Sequence, residues 1–499
     1  MSKLNIDWIA RSKNINLDVR NFISGRWGTE SSAEVCKYAP RDGSLLCRFG
    51  ISASSDIENA VSSARAAYED GRWSASTIQA RKEMLYRLAS LVERNREELA
   101  LLDSLDVGKP ISHAFDFDVP EAVATLRFSA EAADKFYGKV YGADPTSLSY
   151  ELRRPLGVVA GITGWNFPLL QAAQKIGPVL ATGNSLVLKP SELTSLSTAR
   201  IASLAMEAGL PGGVLNVVHG DASVGSALAQ HPNVDLVTFT GSSETGKRIL
   251  IASGQSNMKR LVLECGGKAP NIVFDDFPDL EAVAEAVLTS ALWNQGEVCA
   301  ASSRLLVQAT IKTELLKAIV DKVSSWTPGD PLRSETRYGA LVSEAHQRKV
   351  VGYIEGGRKE GAVVAYEANP PPPHAGGFYL SPVIFDKVMP EHRIAREEIF
   401  GPVLSVIGFQ DEEDAIRIAN NTIYGLTAVI WTQDLRRAHR AAHGIKAGQI
   451  VINATAKRFG GPADSVLNVG GHKQSGIGAE GGVEGLEAYT SKTAVQLYV

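Results

Sequence analysis

Between residues 155 and 267, short apolar runs alternate with stretches of helical periodicity. The apolar runs fall at 156–162, 185–188, 214–218, 236–240 and 261–263. The helical patterns fall near 168–181, 194–208, 222–230 and 244–253. Runs this short, with no polar face, predict strands buried on both sides. Their alternation with helices predicts a parallel sheet covered on both faces. Ligands in such sheets bind beyond the carboxyl ends of the strands. Polar residues and glycines gather at those ends: Thr163-Gly164-Trp165-Asn166, Lys189-Pro190-Ser191-Glu192, His219-Gly220, Gly241-Ser242-Ser243-Glu244 and Glu264-Cys265-Gly266-Gly267.

A second alternation follows residue 267. Strands are expected at 271–274, 304–307, 378–380, 403–407, 428–431 and 449–453, and helices at 279–294, 311–324, 343–356, 412–420 and 434–443. The proline run from Pro370 to Pro373 cannot continue a helix or a central strand and reads as a surface loop. Upstream, 55–105 and 120–136 are helical in pattern, with Ile57, Val61, Ala64 and Ala67, then Leu85, Leu88, Leu91 and Val92, recurring at three and four. Residues 1–50 look irregular, with strand-like pieces around Phe22 to Trp27. Residues 137–151 are polar and β-like, an excursion from the surrounding domain. Residues 454–482 are glycine-rich and irregular, and 493–498 reads as a closing strand.

Composition narrows the setting. The chain is 44% hydrophobic and 21% charged over 499 residues, with net charge −4. That is room for two or three globular domains and gives no basic excess to hold nucleic acid. Cys36, Cys47, Cys265 and Cys299 form no CxxC pair, which fits a reducing compartment. The first residues lack the apolar core of a signal peptide, and no run approaches the roughly 20 apolar residues of a membrane span. The expectation is a cytoplasmic protein without nucleic-acid or membrane partners.

Candidate chemistry centres on Asn294-Gln295-Gly296-Glu297-Val298-Cys299 and the small residues after it. A thiol acts as a nucleophile only as thiolate, in a polar and partly open site; a buried structural cysteine is the other reading. Gly241 to Arg248 nearly matches a P-loop, but Arg248 replaces the hydroxyl that would hold Mg²⁺. What survives is a glycine-flanked turn into a helix, able to meet a phosphate. The G-x-G-x-x-G dinucleotide fingerprint is absent. Glu264, ending a strand beside two glycines, is a candidate general base or the partner of Lys268. Glu398 is equally open. His439 and His443 lie four apart, but H-R-A-A-H lacks the glutamate of a metal-binding H-E-x-x-H, so a solvated helix face is the better reading.

The ordered motifs GWNFP (164–168), GNSLVLKPSE (183–192), FTGSSETG (239–246), LECGGKAPNIV (263–273), NQGEVC (294–299), EEIFGPV (397–403) and GGHKQSGIGAEGG (470–482) resemble the NAD(P)-dependent aldehyde dehydrogenase superfamily, in its non-phosphorylating, non-CoA-acylating branch. The resemblance spans nearly the whole chain. It implies an α/β protein with a Rossmann-like cofactor domain (1–136 and 152–263), a second α/β catalytic domain (264–466) and a small β oligomerisation arm (137–151 and 483–499). It implies oxidation of an aldehyde to the acid with NAD, NADP remaining open, in a homodimer or homotetramer. Cys299 would be the nucleophile, Asn166 with the Cys299 N–H the oxyanion hole, and Glu264 the base for hydrolysis, with Lys175 and Glu480 as a proton-relay pair. Lys189 and Glu192 would hold the adenosine ribose, Ser242 the pyrophosphate and Glu398 the nicotinamide ribose. Trp165 and Phe400 would line the cofactor cleft, joined by Ile162, Thr163, Ser191, Gly225, Phe239, Gly241, Leu263 and Gly266.

This chain departs from the family pattern in places. Cys265 stands where leucine is usual, Glu297 where glutamine is common, and Ala479 where the final signature usually has arginine. The loop 457–469 is long and carries Lys457 and Arg458 near the expected substrate mouth. Gln171 and Gln174 replace aromatic or apolar residues on the pocket helix. Gln171 and Gln174, with Lys457 and Arg458, point to a polar or carboxylated semialdehyde as the alternative to a simple aliphatic or aromatic aldehyde, while the individual substrate and pathway stay open. A cofactor-free cysteine hydrolase or an inactive binding protein are the competing classes; the Lys189–Glu192 and Glu398 segments argue against the first, and Asn166, Glu264 and Cys299 together argue against the second.

Overall fold

A computed structural model describes residues 6–28, 34–142, 145–454 and 466–498. Two α/β sheets form its centre, joined by a short crossing at 265–269. In the first, Val158–Ile162 lies in the middle. Ser185–Lys189 and then Leu215–Val217 pair parallel on one side, and Leu236–Thr240 and Arg260–Glu264 on the other. Strand order therefore reverses between Val158–Ile162 and Leu236–Thr240, and a crevice opens beyond their carboxyl ends. Every residue of Val158–Ile162 and Ser185–Lys189 is buried, which is why neither shows polar alternation. Gly476–Ile477 returns from the glycine-rich segment to pair antiparallel with Arg260–Glu264, setting Gly476 opposite Glu264.

The second sheet runs Val363–Glu367, Val383–Asp386, Val403–Phe409, Arg304–Gln308, Pro270–Val273, Thr427–Trp431 and Gln449–Ile452. All neighbours are parallel except the first pair. Successive residues feed opposite faces. Ile272, Leu306 and Ile430 join one core; Val273, Leu305, Val307 and Trp431 join the other.

Some expectations change. No strand forms at 378–380. Its backbone is taken by other partners: Phe378 N–H donates to Pro40 O, and the Tyr379 and Leu380 carbonyls accept from Gln347 Nε2 and the Tyr338 hydroxyl. The strands of that region are Val363–Glu367 and Val383–Asp386 instead. The long helical pattern at 55–105 is three helices, Ser54–Glu69, Ile78–Arg94 and Arg96–Val107. Residues 1–50 contain a hairpin, Glu34–Tyr38 with Leu45–Gly50, whose two-sided exposure hides its period. Ser147–Pro155 pairs antiparallel with Thr490–Tyr498 along their full lengths. Among the described residues no helix is long and apolar enough to cross a membrane.

Behind the Phe167 turn lies a fully buried ion pair, Lys109 with Asp118, and the Lys109 ammonium sits 4.0 Å from the Phe167 ring centre. Burial, and then Asp118, push the Asp103 carboxyl up to about 8. Lys109 is the cation that offsets both acids. Removing one partner of a buried pair costs about 3–5 kcal/mol. Lys109→Met should lose that much in denaturant unfolding. Asp118→Asn should lose a comparable amount, because burial keeps the Asp103 carboxyl largely protonated near neutrality and leaves Lys109 without a counter-charge. Equal stability of Lys109→Met and wild type would show that the pair contributes nothing net.

Candidate active site

A cavity of about 750 Å³ occupies the crevice. Three strand ends of the first sheet supply its wall: Ile162, Thr163, Trp165 and Asn166; Lys189, Ser191 and Glu192; Phe239, Gly241 and Ser242; the expected His219-Gly220 end is not part of it. Gly225, Gly266, Glu398, Phe400 and Cys299 complete it from other segments. Residues far apart in the chain thus meet around one space. Leu263, Glu264, Lys175 and Glu480 do not line the cavity. Leu263 is core, and the Lys175–Glu480 ion pair with Glu264 beside it forms an ionisable group behind the wall.

The chain reaches Cys299 through a left-handed turn. Asn294, Gln295 and Gly296 have φ of 49°, 58° and 72°. For residues with a Cβ this conformation costs roughly 1–2 kcal/mol each. Buried side chains hold it. Asn294 Nδ2 donates to the carbonyls of Asn166 and Glu297, both at 3.2 Å. Gln295 Oε1 accepts from Gly339 N–H at 3.1 Å, and Glu297 Oε1 from Val342 N–H at 3.0 Å. A Cβ at Gly296 would stand 2.5 Å from the Gly401 carbonyl oxygen. Gly267 allows a second close approach, since a Cβ there would lie 2.2 Å from the Cys299 carbonyl oxygen. The Gly267 N–H also donates to Glu398 Oε1 at 2.9 Å. The crossing between the sheets thereby ties Cys299 to Glu398.

The site is held largely uncharged. Burial, then Glu398 and Glu264, push the Cys299 thiol up to about 12, against backbone N–H groups that favour thiolate. Glu264 is pushed up to about 9 by burial and then Glu480, while Lys175 pulls the other way. Lys175 pairs with Glu480, which also accepts from Thr238 Oγ1 at 3.3 Å. The alternative pairing of Glu264 with Lys268 does not form: Lys268 Nζ is buried with no hydrogen-bond partner. Asn166 Nδ2 donates to the Glu297 carbonyl at 2.9 Å, and its Oδ1 accepts from Gln171 Nε2 at 2.8 Å.

The far side of the cavity suits a dinucleotide. Lys189 Nζ lies 3.4 Å from Glu192 Oε2, a cation and a carboxylate side by side. The P-loop-like segment proves to be a helix start. Ser242 caps Ser243–Gln255 by accepting from Thr245 N–H, and Gly241, Ser242 and Thr245 line the cavity at this helix start. A Cβ at Gly225 would enter the cavity with its nearest neighbour, Ile162, 3.7 Å away. Trp165 packs edge-on against Phe400 and His346, each with ring centres 5.1 Å apart. His346 and Lys349 also line the wall, and sequence reasoning missed them. No motif marks them; their only signal is i,i+3 spacing at the start of Glu344–Lys359.

Other candidates fall elsewhere. Cys265 lines the cavity with its thiol pushed up to about 12, chiefly by burial, so it behaves as a small apolar group. His439 and His443 are exposed on Leu435–Gly444. Gln171 is 5% exposed and committed to Asn166, so it does not face a substrate; Gln174 is half-buried. Lys457 and Arg458 lie outside the described residues.

A family model described as the aldehyde dehydrogenase family matches residues 27–495. The NADP/NAD-dependent aldehyde dehydrogenase PuuC of Escherichia coli is 43% identical over 486 residues, 97% of this chain and 96% of that protein. The aminoacetaldehyde dehydrogenase of Pseudomonas aeruginosa is 43% identical over 474 residues, 95% of this chain and 94% of that protein. A crystal structure of an indole-3-acetaldehyde dehydrogenase with NAD⁺ superimposes with a TM-score of 0.96 at 44% identity, covering 99% of each chain.

The left-handed turn is open to a direct test. Gly296→Ala adds a Cβ against Gly401 and should destabilise the fold by about 1–3 kcal/mol. A displacement of the thiol by about 1 Å costs on the order of 100-fold in rate. Alkylation of Cys299 and turnover measured on the folded fraction should both fall. Wild-type values of both would show that the turn does not position the thiol.

Proposed function

The chain belongs to the aldehyde dehydrogenase family and oxidises an aldehyde to the carboxylic acid with NAD(P)⁺ and water; from that premise we propose which residues do this and on what class of substrate. One observation carries the assignment: Cys299, Lys189 and Glu398 line a single cavity. When bound, NAD(P)⁺ supplies the nicotinamide ring that accepts hydride.

Cys299 gives up its proton to solvent, and the thiolate Sγ adds to the aldehyde carbon as the C=O π electrons move onto oxygen, forming a tetrahedral hemithioacetal oxyanion. The second N–H of Asn166 Nδ2, with the Cys299 backbone N–H, stabilises the oxyanion; such a donor is typically worth about 3–4 kcal/mol. The electron-rich carbon releases hydride and becomes a thioester. Glu264 removes a proton from water, which attacks the thioester carbon, and the C–S bond breaks to give the acid and the free thiol. Lys175 and Glu480 stand behind Glu264 to pass its proton on. Lys189 and Glu192 hold the adenosine ribose, the Ser242 turn the pyrophosphate, and Glu398 the nicotinamide ribose, with Ile162, Thr163, Ser191, Gly225, Phe239, Gly241 and Gly266 shaping that side; Leu263, buried in the core, takes no part. The Glu192 carboxylate accepts a 2′-hydroxyl and repels a 2′-phosphate, which favours NAD over NADP. The first sheet serves the cofactor and the second presents Cys299.

We infer a polar aldehyde as substrate. Gln174 is half-buried on the pocket helix, and one of the similar proteins is named for aminoacetaldehyde. The paired strands Ser147–Pro155 and Thr490–Tyr498 expose Leu148, Leu497 and Tyr498. An exposed ribbon with apolar side chains needs cover, so we assign it to a homodimer or homotetramer contact. All four cysteines are free, which supports a reducing, cytoplasmic setting.

Cys299→Ala should abolish aldehyde-dependent NADH formation, read at 340 nm, while Glu264→Gln should keep a single burst and lose turnover. The base acts ionised, and its proton is held up to about 9. Its active fraction is therefore small near neutrality and rises as pH climbs toward that value. Turnover limited by hydrolysis should climb over that range and level off above it; a flat profile would remove Glu264 as the base. Cationic, neutral and carboxylated aldehydes should differ in kcat/KM, with polar ones favoured. Equal values across that panel would overturn the substrate assignment.

A further inference from the structure

We propose that Gln171 is a positioning residue for the reaction: its side-chain amide holds and polarises the Asn166 amide that meets the oxyanion. This rests on Asn166 acting as the oxyanion donor. Gln171 sits in the first turns of Pro168–Ala181, five residues after Asn166, and both side chains are 5% exposed. Its Nε2 donates to Asn166 Oδ1 at 2.8 Å. On the other end of the Asn166 amide, Nδ2 donates to the Glu297 carbonyl at 2.9 Å. The first bond uses the only acceptor and the second uses one of two N–H groups. One N–H remains, and its direction is set by the other two contacts.

Gln171 is an odd choice for mere packing. Its Oε1 is buried without a hydrogen-bond partner, against the Gly164 backbone. An apolar side chain of the same length would fill that space without stranding an acceptor. The Nε2 bond is what the glutamine adds. Donation into an amide oxygen draws electron density from its nitrogen and strengthens the remaining N–H as a donor. It also opposes a flip. With the amide reversed, Oδ1 would face the Glu297 carbonyl and Nδ2–H would face Nε2–H, so both contacts would become repulsive. The same bond removes Gln171 from any role in reading the substrate.

The test compares Gln171→Leu and Gln171→Glu with wild type, alone and in an Asn166→Ala background, using the intact enzyme with NAD⁺. Pre-steady-state NADH bursts report hydride release; NAD⁺ binding by fluorescence reports the cofactor side. Gln171→Leu should slow the burst about tenfold, a fraction of the loss when an oxyanion donor is deleted outright. The KM for aldehyde and the NAD⁺ affinity should stay near wild type. In the Asn166→Ala background it should add no further loss. Gln171→Glu separates positioning from packing: protonated, the new carboxyl donates to Oδ1; ionised, it repels it. Its burst rate relative to wild type should fall as pH rises. A wild-type burst for Gln171→Leu, the full tenfold loss repeated without Asn166, or a flat pH ratio for Gln171→Glu would each overturn the proposal. If Gln171→Leu fails to fold, the pH ratio decides alone. A wild-type burst for Asn166→Ala would instead overturn the oxyanion reading beneath it.

Discussion

The left-handed turn at Asn294, Gln295 and Gly296 is the constraint on which the rest depends. Two of its residues carry a Cβ, so the turn is unfavourable by itself and cannot be a local preference of the chain. It persists because the polar side chains of Asn294, Gln295 and Glu297 are all buried and bonded to backbone elsewhere. Those partners belong to the Asn166 loop and to the segment around Gly339 and Val342. The turn that delivers the thiol is therefore tied to the loop that delivers the amide. Neither can shift without breaking buried hydrogen bonds, which are costly to leave unmade.

Electrostatics imposes a second order on the same space. Glu264, Glu398 and Glu480 act on Cys299 or on one another, with Lys175 as the cation that Glu480 holds. Burial dominates at both Cys299 and Glu264, so each proton is retained near neutrality. The resting site is then poor at ionising its own nucleophile. The backbone N–H groups of Ala300 and Cys299 favour thiolate, but they do not outweigh that burial. The cost of an uncompensated ionised base is also avoided until water must be activated.

Much of this was legible before the fold. Strands buried on both faces are written as unbroken apolar runs, so both parallel sheets showed, and ligand-facing strand ends showed as glycine and polar clusters. Ordered motifs then picked out Asn166, Glu264 and Cys299. What stayed hidden has physical reasons. His346 and Lys349 enter from a helix whose first turn looks like any solvated surface. The 378–380 stretch has strand-like residues, but side chains from Gln347 and Tyr338 take its carbonyls. Gln171 read as a polar substrate contact because composition reports polarity and cannot report which neighbour has already claimed a hydrogen bond.

That last case bears on how a pocket helix divides its work. Gln171 and Gln174 are three residues apart on Pro168–Ala181, and Lys175 follows at once. Such spacing places them around one end of the helix, yet each meets different chemistry. Gln171 is drawn inward by Asn166, Lys175 by Glu480, and Gln174 alone keeps partial exposure. The helix thereby supports the Asn166 amide and the Lys175–Glu480 pair at the same time. A substitution at Gln171 or Lys175 breaks a hydrogen bond, to Asn166 or to Glu480. Within a single helical turn, tolerance to change is decided by which side chain's polar atoms are already engaged, and only the three-dimensional partners reveal that.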